Sequence, residues 1–250
     1  HVEAAFQNKL LVGKRVLITA GPTFERIDAV RGITNPSSGK MGYAIARAAW
    51  EAGAEVVLVS GQTSQTPPPG CRRIDVVSAQ DMLNAVNAEV DASDIFISVA
   101  AVADYYVLNQ SEQKIKKDAH VLTLELAPNP DILANVTSRP NPPFCVGFAA
   151  ESENLLEYAE AKRRRKKLPL LAANLVQNAI GADDNEIILL DDDGELLFQS
   201  ASAPPGLLND MIQQLGLALP NDDQPMRERL AQLARYLIGY HNLTIGEHNW

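Results

Sequence analysis

Two short runs constrain this chain more than any other feature. "KRVLITA" at 14–20 and "EVVLVS" at 55–60 are apolar or β-branched at nearly every position after their charged start. A strand with one wet face alternates apolar and polar residues, whereas a strand without alternation is covered on both faces. Between the runs, "GYAIARAAWEAGA" places its apolar residues at helical spacing and stops at Gly53, which predicts a glycine C-cap. The order repeats with "RRIDVV", a helix over "AQDMLNAVNAEV", and a buried strand over "DIFISVAA" at 94–101. "FCVGFAA" at 144–150 then leads into a charged helix over about 154–167, followed by "PLLAANL".

Repeated β-α-β order predicts an α/β, Rossmann-like three-layer fold: a mainly parallel sheet with helices on both faces. "NEIILLDDDGELLFQ" adds two short strands around Asp-Gly, a small β-hairpin extension with type I′ turn chemistry. Pro204, Pro205, Pro220 and Pro225 break the C-terminal stretch around two amphipathic helices predicted over 206–217 and 225–239. Ligands of such sheets bind at the carboxyl ends of the strands. Four stretches gather there: 21–39, 61–70, 100–117 and 149–154. The first and third far exceed the ~2–6 residues usual for α/β connections, and long loops are commonly functional. The polar segment 105–117 is expected to act as a mobile lid with few apolar anchors.

Composition excludes several classes. A net charge of -9 argues against nucleic acid as the main partner, since duplex binding neutralises phosphates. No run approaches the roughly 18 apolar residues of a membrane span. Cys71 and Cys145 lack C-x-x-C spacing and read as two reduced thiols of a cytoplasmic protein. His1, His120, His241 and His248 are scattered without metal-ligand spacing, and no G-x-S-x-G elbow is present.

Three basic or glycine-rich motifs each admit two readings. In "NPSSGKMG", Ser37 or Ser38 can cap the next helix and expose its amides to an anion, with Gly39 and Gly42 allowing close backbone approach. The same residues also suit a plain Ser-capped helix with packing glycines. It is neither a Walker loop, since Met41 follows Lys40, nor a G-x-G-x-x-G fingerprint. "QKIKK" places Lys114 and Lys116 on one face of an extended segment; taken alone, it reads as a lysine-guarded edge strand. "KRRRKK" at 162–167 sits at a helix C-terminus, where cations offset the dipole, and reads as a mostly solvated face with Lys162 and Lys166 as ligand contacts. "YAEAK" at 158–162 has the Y-x-x-x-K spacing of short-chain dehydrogenases, but the glycine-rich turn that class needs after its first strand is absent.

In order along the chain, "LITAGPTFERIDAVRGITNPSSGKMG", "VSGQT", "AAVADY", "KIKK", "PNPD", "GFAAE", "AKRRRKK" and "DDNEIIL" closely resemble the phosphopantothenate–cysteine ligases. The resemblance covers roughly 13–199 and departs at Ala29, where the family usually has Pro. It implies a ligase domain over 13–202, a linker remnant over 1–12 from an upstream domain, and a C-terminal helical extension over 203–250, part of the same domain or a tail. It implies a flavin-dependent decarboxylase as fused or working partner, and a homodimer.

The chemistry implied is ligation of 4′-phosphopantothenate to L-cysteine in coenzyme A biosynthesis, with CTP as co-substrate and Mg²⁺ held mainly by the triphosphate. Eukaryotic relatives use ATP; "SSGKMG" with "KIKK" resembles the bacterial CTP type. By the same resemblance Gly21, Ser37, Gly39 and Gly42 hold the nucleotide, as do Asp104, Phe148, Lys162, Lys166 and the turn Pro130, Asp131, Ile132, Leu133. Asn35 contacts pantothenate beside the reacting acyl group, where an amide can donate to a developing oxyanion. Ala100 and Ala101 leave space for the pantothenate arm, and Asp104 accepts from it. Lys114 serves acyl-nucleotide formation, and Arg31 is a substrate-anion arginine that some relatives take from the partner subunit. Two rivals stay open: an NAD(P)-dependent oxidoreductase, marked by nicotinamide binding, and a non-catalytic binding module, marked by salt-dependent nucleic-acid affinity.

Overall fold

β1 (Arg15–Ala20) is buried at every position after its first and forms the centre of the sheet. The computed structural model of the protein describes residues 11–118, 120–175, 188–191 and 196–199. β4 (Glu55–Ser60) and β6 (Ile95–Ser98) flank β1, both parallel to it. β5 (Arg72–Asp75) adds beyond β4, and β9 (Phe144–Glu151) and β10 (Leu170–Leu175) add beyond β6, all parallel. β11 (Ile188–Asp191) and β12 (Leu196–Gln199) close the far edge antiparallel, giving the order β12-β11-β10-β9-β6-β1-β4-β5. These are the two expected hairpin strands. Their turn, the segment before residue 11 and the two helices predicted after 203 lie outside the described residues.

Alternate β1 side chains serve two cores. Val16, Ile18 and Ala20 pack with Tyr43, Ile45, Ala46 and Ala49 of α1 (Lys40–Glu51). Leu17 joins Phe96 on the other face, covered by Met82 and Val86 of α2 (Ala79–Glu89), Val136 of α3 (Ile132–Thr137) and Ala159 of α4 (Leu155–Arg165). Each such large side chain contributes about 1.5–3 kcal/mol on burial, which is why the unalternating runs can form strands only here. α1 ends as expected at glycine: the Gly53 N–H donates to Trp50 O at 2.9 Å and the Ala54 N–H to Ala49 O at 3.0 Å, a Schellman pair.

The start of α1 differs from the serine cap. Gly39 is the N-cap, at φ 76°, and no side chain caps the helix. Ser37 and Ser38 instead accept from the amides two residues on, Gly39 N–H at 3.3 Å and Lys40 N–H at 3.4 Å. Those local turns compete with capping for the same hydroxyls.

Two ribbons not visible to periodicity stand on the carboxyl rim. β2 (Phe24–Arg26) pairs antiparallel with β3 (Gly32–Thr34), and β7 (Tyr105–Val107) with β8 (Leu126–Pro128). Strands of three residues are too short to show alternation. Val107 is fully buried and is one of the few apolar anchors of the 105–117 segment. Among the described residues no helix is long and apolar enough to cross a membrane.

Candidate functional site at the strand crossover

The parallel strands run outward from β1 in both directions, so the topological switch lies between β1 and β6, where α/β sheets bind ligands. The loops leaving these two strands are stitched together there. Pro22 bridges Ala101 in parallel, the Ala101 N–H donates to Gly21 O at 3.0 Å, and the Thr23 N–H returns to Ala101 O at 3.2 Å. Thr19 Oγ1 accepts from the Val99 and Ala100 amides at 3.2 and 3.3 Å. Across this seam Asn35 Nδ2 donates to Ala101 O at 2.9 Å. Gly21, Asn35, Ala100 and Ala101 therefore meet in one crevice, although they are scattered over two loops. Asp104 is exposed, and its carbonyl accepts from the Asn129 N–H at 2.8 Å while Asn129 Nδ2 donates to Ala103 O at 2.9 Å. Asn129 thus draws the 130–133 stretch to the same rim.

The loop after β4 buttresses the loop that enters α1. Thr63 Oγ1 donates to Ser38 O at 2.7 Å and lies 3.1 Å from where a Cβ on Gly39 would stand. Gly42 faces the other way. A Cβ there would come within 2.5 Å of the Ala20 Cβ, so this glycine lets α1 lie on β1. Its absent side chain opens room for the strand, so packing alone already requires glycine at this position.

Asp131, Lys162 and Lys166 form a second cluster. Lys166 Nζ pairs with both Asp131 oxygens, at 2.9 and 2.8 Å, from a side chain only 13% exposed. Burial raises the Asp131 pKa, but the Lys166 hydrogen bond, the Ala134 N–H and the charges of Lys166 and Arg165 together hold it below its usual value. Burial pushes the Lys162 pKa down, with the neighbouring Lys166 charge, against the pull of Glu151 and Asp131. An anion beside Lys162 would offset that crowding. The 130–133 stretch is the start of α3, with Asp131 as its N-cap. Ile132 and Leu133 point into the core, 4% exposed each, and leave their backbone as the part that can face a ligand. Phe148 on β9 is half-buried against the α1-side core.

The basic run is not uniformly solvated. Arg163 is 5% exposed and donates from Nε and Nη2 to Glu160 at 2.7 and 2.9 Å and from Nη1 to Leu168 O at 3.1 Å. Its guanidinium satisfies a carbonyl at the end of α4, a place an isolated charged side chain could not occupy. The Arg163 hydrogen bond, opposed by burial and joined by that of Arg164, brings the Glu160 pKa down to about 2.

Arg31 and Lys114 are linked through Asp28, which the sequence did not single out. The Asp28 side chain is 0% exposed. Its Oδ1 accepts from the Val30 and Arg31 amides, both at 2.9 Å; its Oδ2 accepts from Arg31 Nε at 2.9 Å, from Arg31 Nη2, and from the Ile115 N–H at 3.1 Å. Arg31 Nη2 also donates to Ile115 O at 2.8 Å. The Arg31 guanidinium, outweighing burial and aided by those amides, holds the Asp28 carboxyl far below its ordinary range. Lys114 itself is exposed, one residue from this anchor, and the Ser111 N–H donates to Ile27 O at 3.0 Å. The missed signal was Asp followed by two turn amides in "IDAVR", an Asx turn; Thr19, Thr23 and Asn129 gave no local signal at all.

A cleft of about 510 Å³ adjoins this rim, lined by Phe24, Glu25 and Arg26, the 77–81 segment, Tyr106, Gln110, Asn129 and Pro130. Glu25 Oε1 accepts from the Ala79 N–H at 2.8 Å, and Ser78 with Asp81 completes a capping box. The N-terminus of α2 is thus already served by carboxylates, so this helix end does not offer itself to an anion.

The family model for the C-terminal domain of DNA/pantothenate metabolism flavoproteins matches residues 11–203. The coenzyme A biosynthesis bifunctional protein CoaBC of Vibrio cholerae is 50% identical over 201 residues, covering 78% of this chain and 50% of that protein. Its counterpart in Escherichia coli K12 is 48% identical over 187 residues, covering 72% and 46%. The chain therefore spans about half the length of these relatives. The crystal structure of the C-terminal domain of a CoaBC protein superposes with a TM-score of 0.66 at 39% identity, covering 83% of this chain and 96% of that one.

Proposed function

This chain belongs to the family of the C-terminal domain of DNA/pantothenate metabolism flavoproteins, and from that premise we propose that it is a CTP-dependent phosphopantothenate–cysteine ligase. A carboxylate oxygen of 4′-phosphopantothenate attacks the α-phosphorus of CTP, and the bond to the β-phosphate breaks to release pyrophosphate. The cysteine amine then attacks the acyl carbon, gives up a proton, and expels CMP with the electron pair of the broken acyl–oxygen bond. The observation that carries this reading is the Asn35–Ala101 hydrogen bond at the β1/β6 crossover. It supports a side-chain amide held beside the small residues Ala100 and Ala101, in the order the ligase motifs require.

Each residue has a chemical part in the proposal. Asn35 uses one Nδ2 proton on Ala101 O and keeps the other for the substrate acyl oxygen. Gly21, Ser37 and Gly39 bound the nucleotide on the α1 side. Lys162 and Lys166, crowded and partly desolvated, bind its phosphates or base-side oxygens. Lys114 neutralises charge as pyrophosphate departs, and Asp104 accepts from the pantothenate arm. Among the described residues no three His, Cys, Asp or Glu side chains converge on a metal site. Mg²⁺ fits here as an ion carried mainly by the triphosphate, where it neutralises phosphate charge. We also place in this proposal a homodimer, with Arg31 at its interface, a cytoplasmic location, and a flavin-dependent decarboxylase as the partner activity.

The test is incubation with phosphopantothenate, cysteine, Mg²⁺ and CTP, followed by a pyrophosphate assay. Release that requires both CTP and phosphopantothenate is the expected result, and replacing CTP by ATP measures nucleotide choice. Tight NAD(P) binding without pyrophosphate release would overturn the ligase in favour of an oxidoreductase.

A further inference from the structure

Asp28 is a buried carboxylate whose acceptors are all used, yet three of its five donors come from Arg31 and one from Ile115, 87 residues away. A charge costs much to bury unless it is paired and fully hydrogen-bonded. Here the pairing spans two loops: Asp28 accepts the Ile115 N–H at 3.1 Å, and Arg31 Nη2 donates to the Ile115 carbonyl at 2.8 Å. Both backbone groups of one residue are therefore gripped, which fixes that residue's position and orientation. Lys114 and Lys116 flank the gripped residue and are exposed. Outside this clamp, the Ser111 N–H to Ile27 O bond adds one further tie between the same two loops.

We propose that Asp28 is a positioning residue for the lysine-bearing segment: with Arg31 it clamps Ile115 so that Lys114 projects at a set place over the crossover. The role rests on the ligase reading only for its kinetic consequence, because the clamp itself is a feature of the fold. Asp28 touches no reacting atom and acts through Lys114. Asp28→Asn keeps the size but turns an NH₂ group toward donors that had been accepted, so the Ile115 N–H and the Arg31 fork lose their partner. A catalytic group displaced by about 1 Å can cost about 10²-fold in rate.

The experiment combines hydrogen exchange with single-turnover pyrophosphate release. Asp28→Asn should raise exchange across 111–117 by about tenfold or more while β1, β4 and β6 keep their protection. It should also slow pyrophosphate release by about 10- to 100-fold. At saturating phosphopantothenate, where any change in Arg31's hold on the substrate drops out, the double variant Asp28→Asn/Lys114→Gln should be no slower than Lys114→Gln alone. Additive losses, or unchanged exchange at 111–117, would overturn the proposal. Should Asp28→Asn fail to fold, Ile115→Pro removes the cross-loop donor but also constrains the backbone at Lys114, so it is held to the exchange readout alone. If the native protein releases no pyrophosphate, the ligase reading fails, and the exchange arm alone decides whether Asp28 is the clamp.

Discussion

Asn35→Asp tests the crossover most directly, because it acts both on a hydrogen bond of the seam and on the chemistry proposed for it. Asn35 Nδ2 lies 2.9 Å from Ala101 O, and the substitution puts a carboxylate oxygen there, acceptor against acceptor. Ala101 O keeps a second donor, the Thr23 N–H at 3.2 Å, so the carbonyl is not stripped bare. The stability loss should therefore be at least that of one net hydrogen bond, about 1 kcal/mol, with the carboxylate–carbonyl repulsion added to it. For a domain of this size each kcal/mol lowers Tm by roughly 2–4 °C. Catalysis should suffer more. Removing one oxyanion donor costs about 2.7–4 kcal/mol, and a carboxylate would also repel the charge developing when cysteine attacks. Pyrophosphate release in the first half-reaction should fall less than amide formation in the second. Mass spectrometry of the variant mixed with CTP and phosphopantothenate should then reveal acyl-cytidylate building up. Unchanged steady-state turnover would remove Asn35 from the site. Equal loss in both half-reactions would reduce its role to holding Ala101.

Gly42→Ala should destabilise the domain by about 1–3 kcal/mol, because its Cβ would stand 2.5 Å from that of Ala20; differential scanning calorimetry measures this. Lys166→Ala should raise the KM for the nucleotide about tenfold, the scale of one charge-assisted contact, and leave Asp131 without its ion pair; initial rates against CTP concentration check it. Glu160 has its pKa lowered from 4.5 to about 2 by Arg163 and, opposing burial, Arg164. A carboxyl depressed in the folded state stabilises above its unfolded pKa and loses that contribution as pH falls through the folded one. Glu160→Gln should therefore flatten the fall of Tm between about pH 4.5 and 2, seen by thermal melts across that range.

The sheet was legible because burial on both faces leaves a local mark. "VLITA" and "VVLVS" cannot be strands of a one-sided sheet, and β1 and β4 are buried from their second residue onward. The hairpin strands and the glycine end of α1 were equally local. What failed to show was short or paired at a distance: the β2–β3 and β7–β8 ribbons, the glycine N-cap of α1, and the inward turn of Arg163 within a run of six cations. A charge run reports composition, not which member finds a carboxylate and a carbonyl to satisfy it.

By itself the sequence determined the order of the eight strands of the main sheet and of α1, α2 and α4, the parallel central sheet, and the rim on which four loops would gather. Only the tertiary structure decided what those loops do to one another. Asn35 meets Ala101 across 66 residues, Asp28 meets Ile115 across 87, and Gly42 packs against Ala20. Periodicity encodes whether a side chain is buried, and cap and turn residues encode where an element ends. Neither encodes a partner. For the crossover, the partner is chosen when β1 and β6 lock into register, which brings the Gly21 carbonyl within reach of the Ala101 amide.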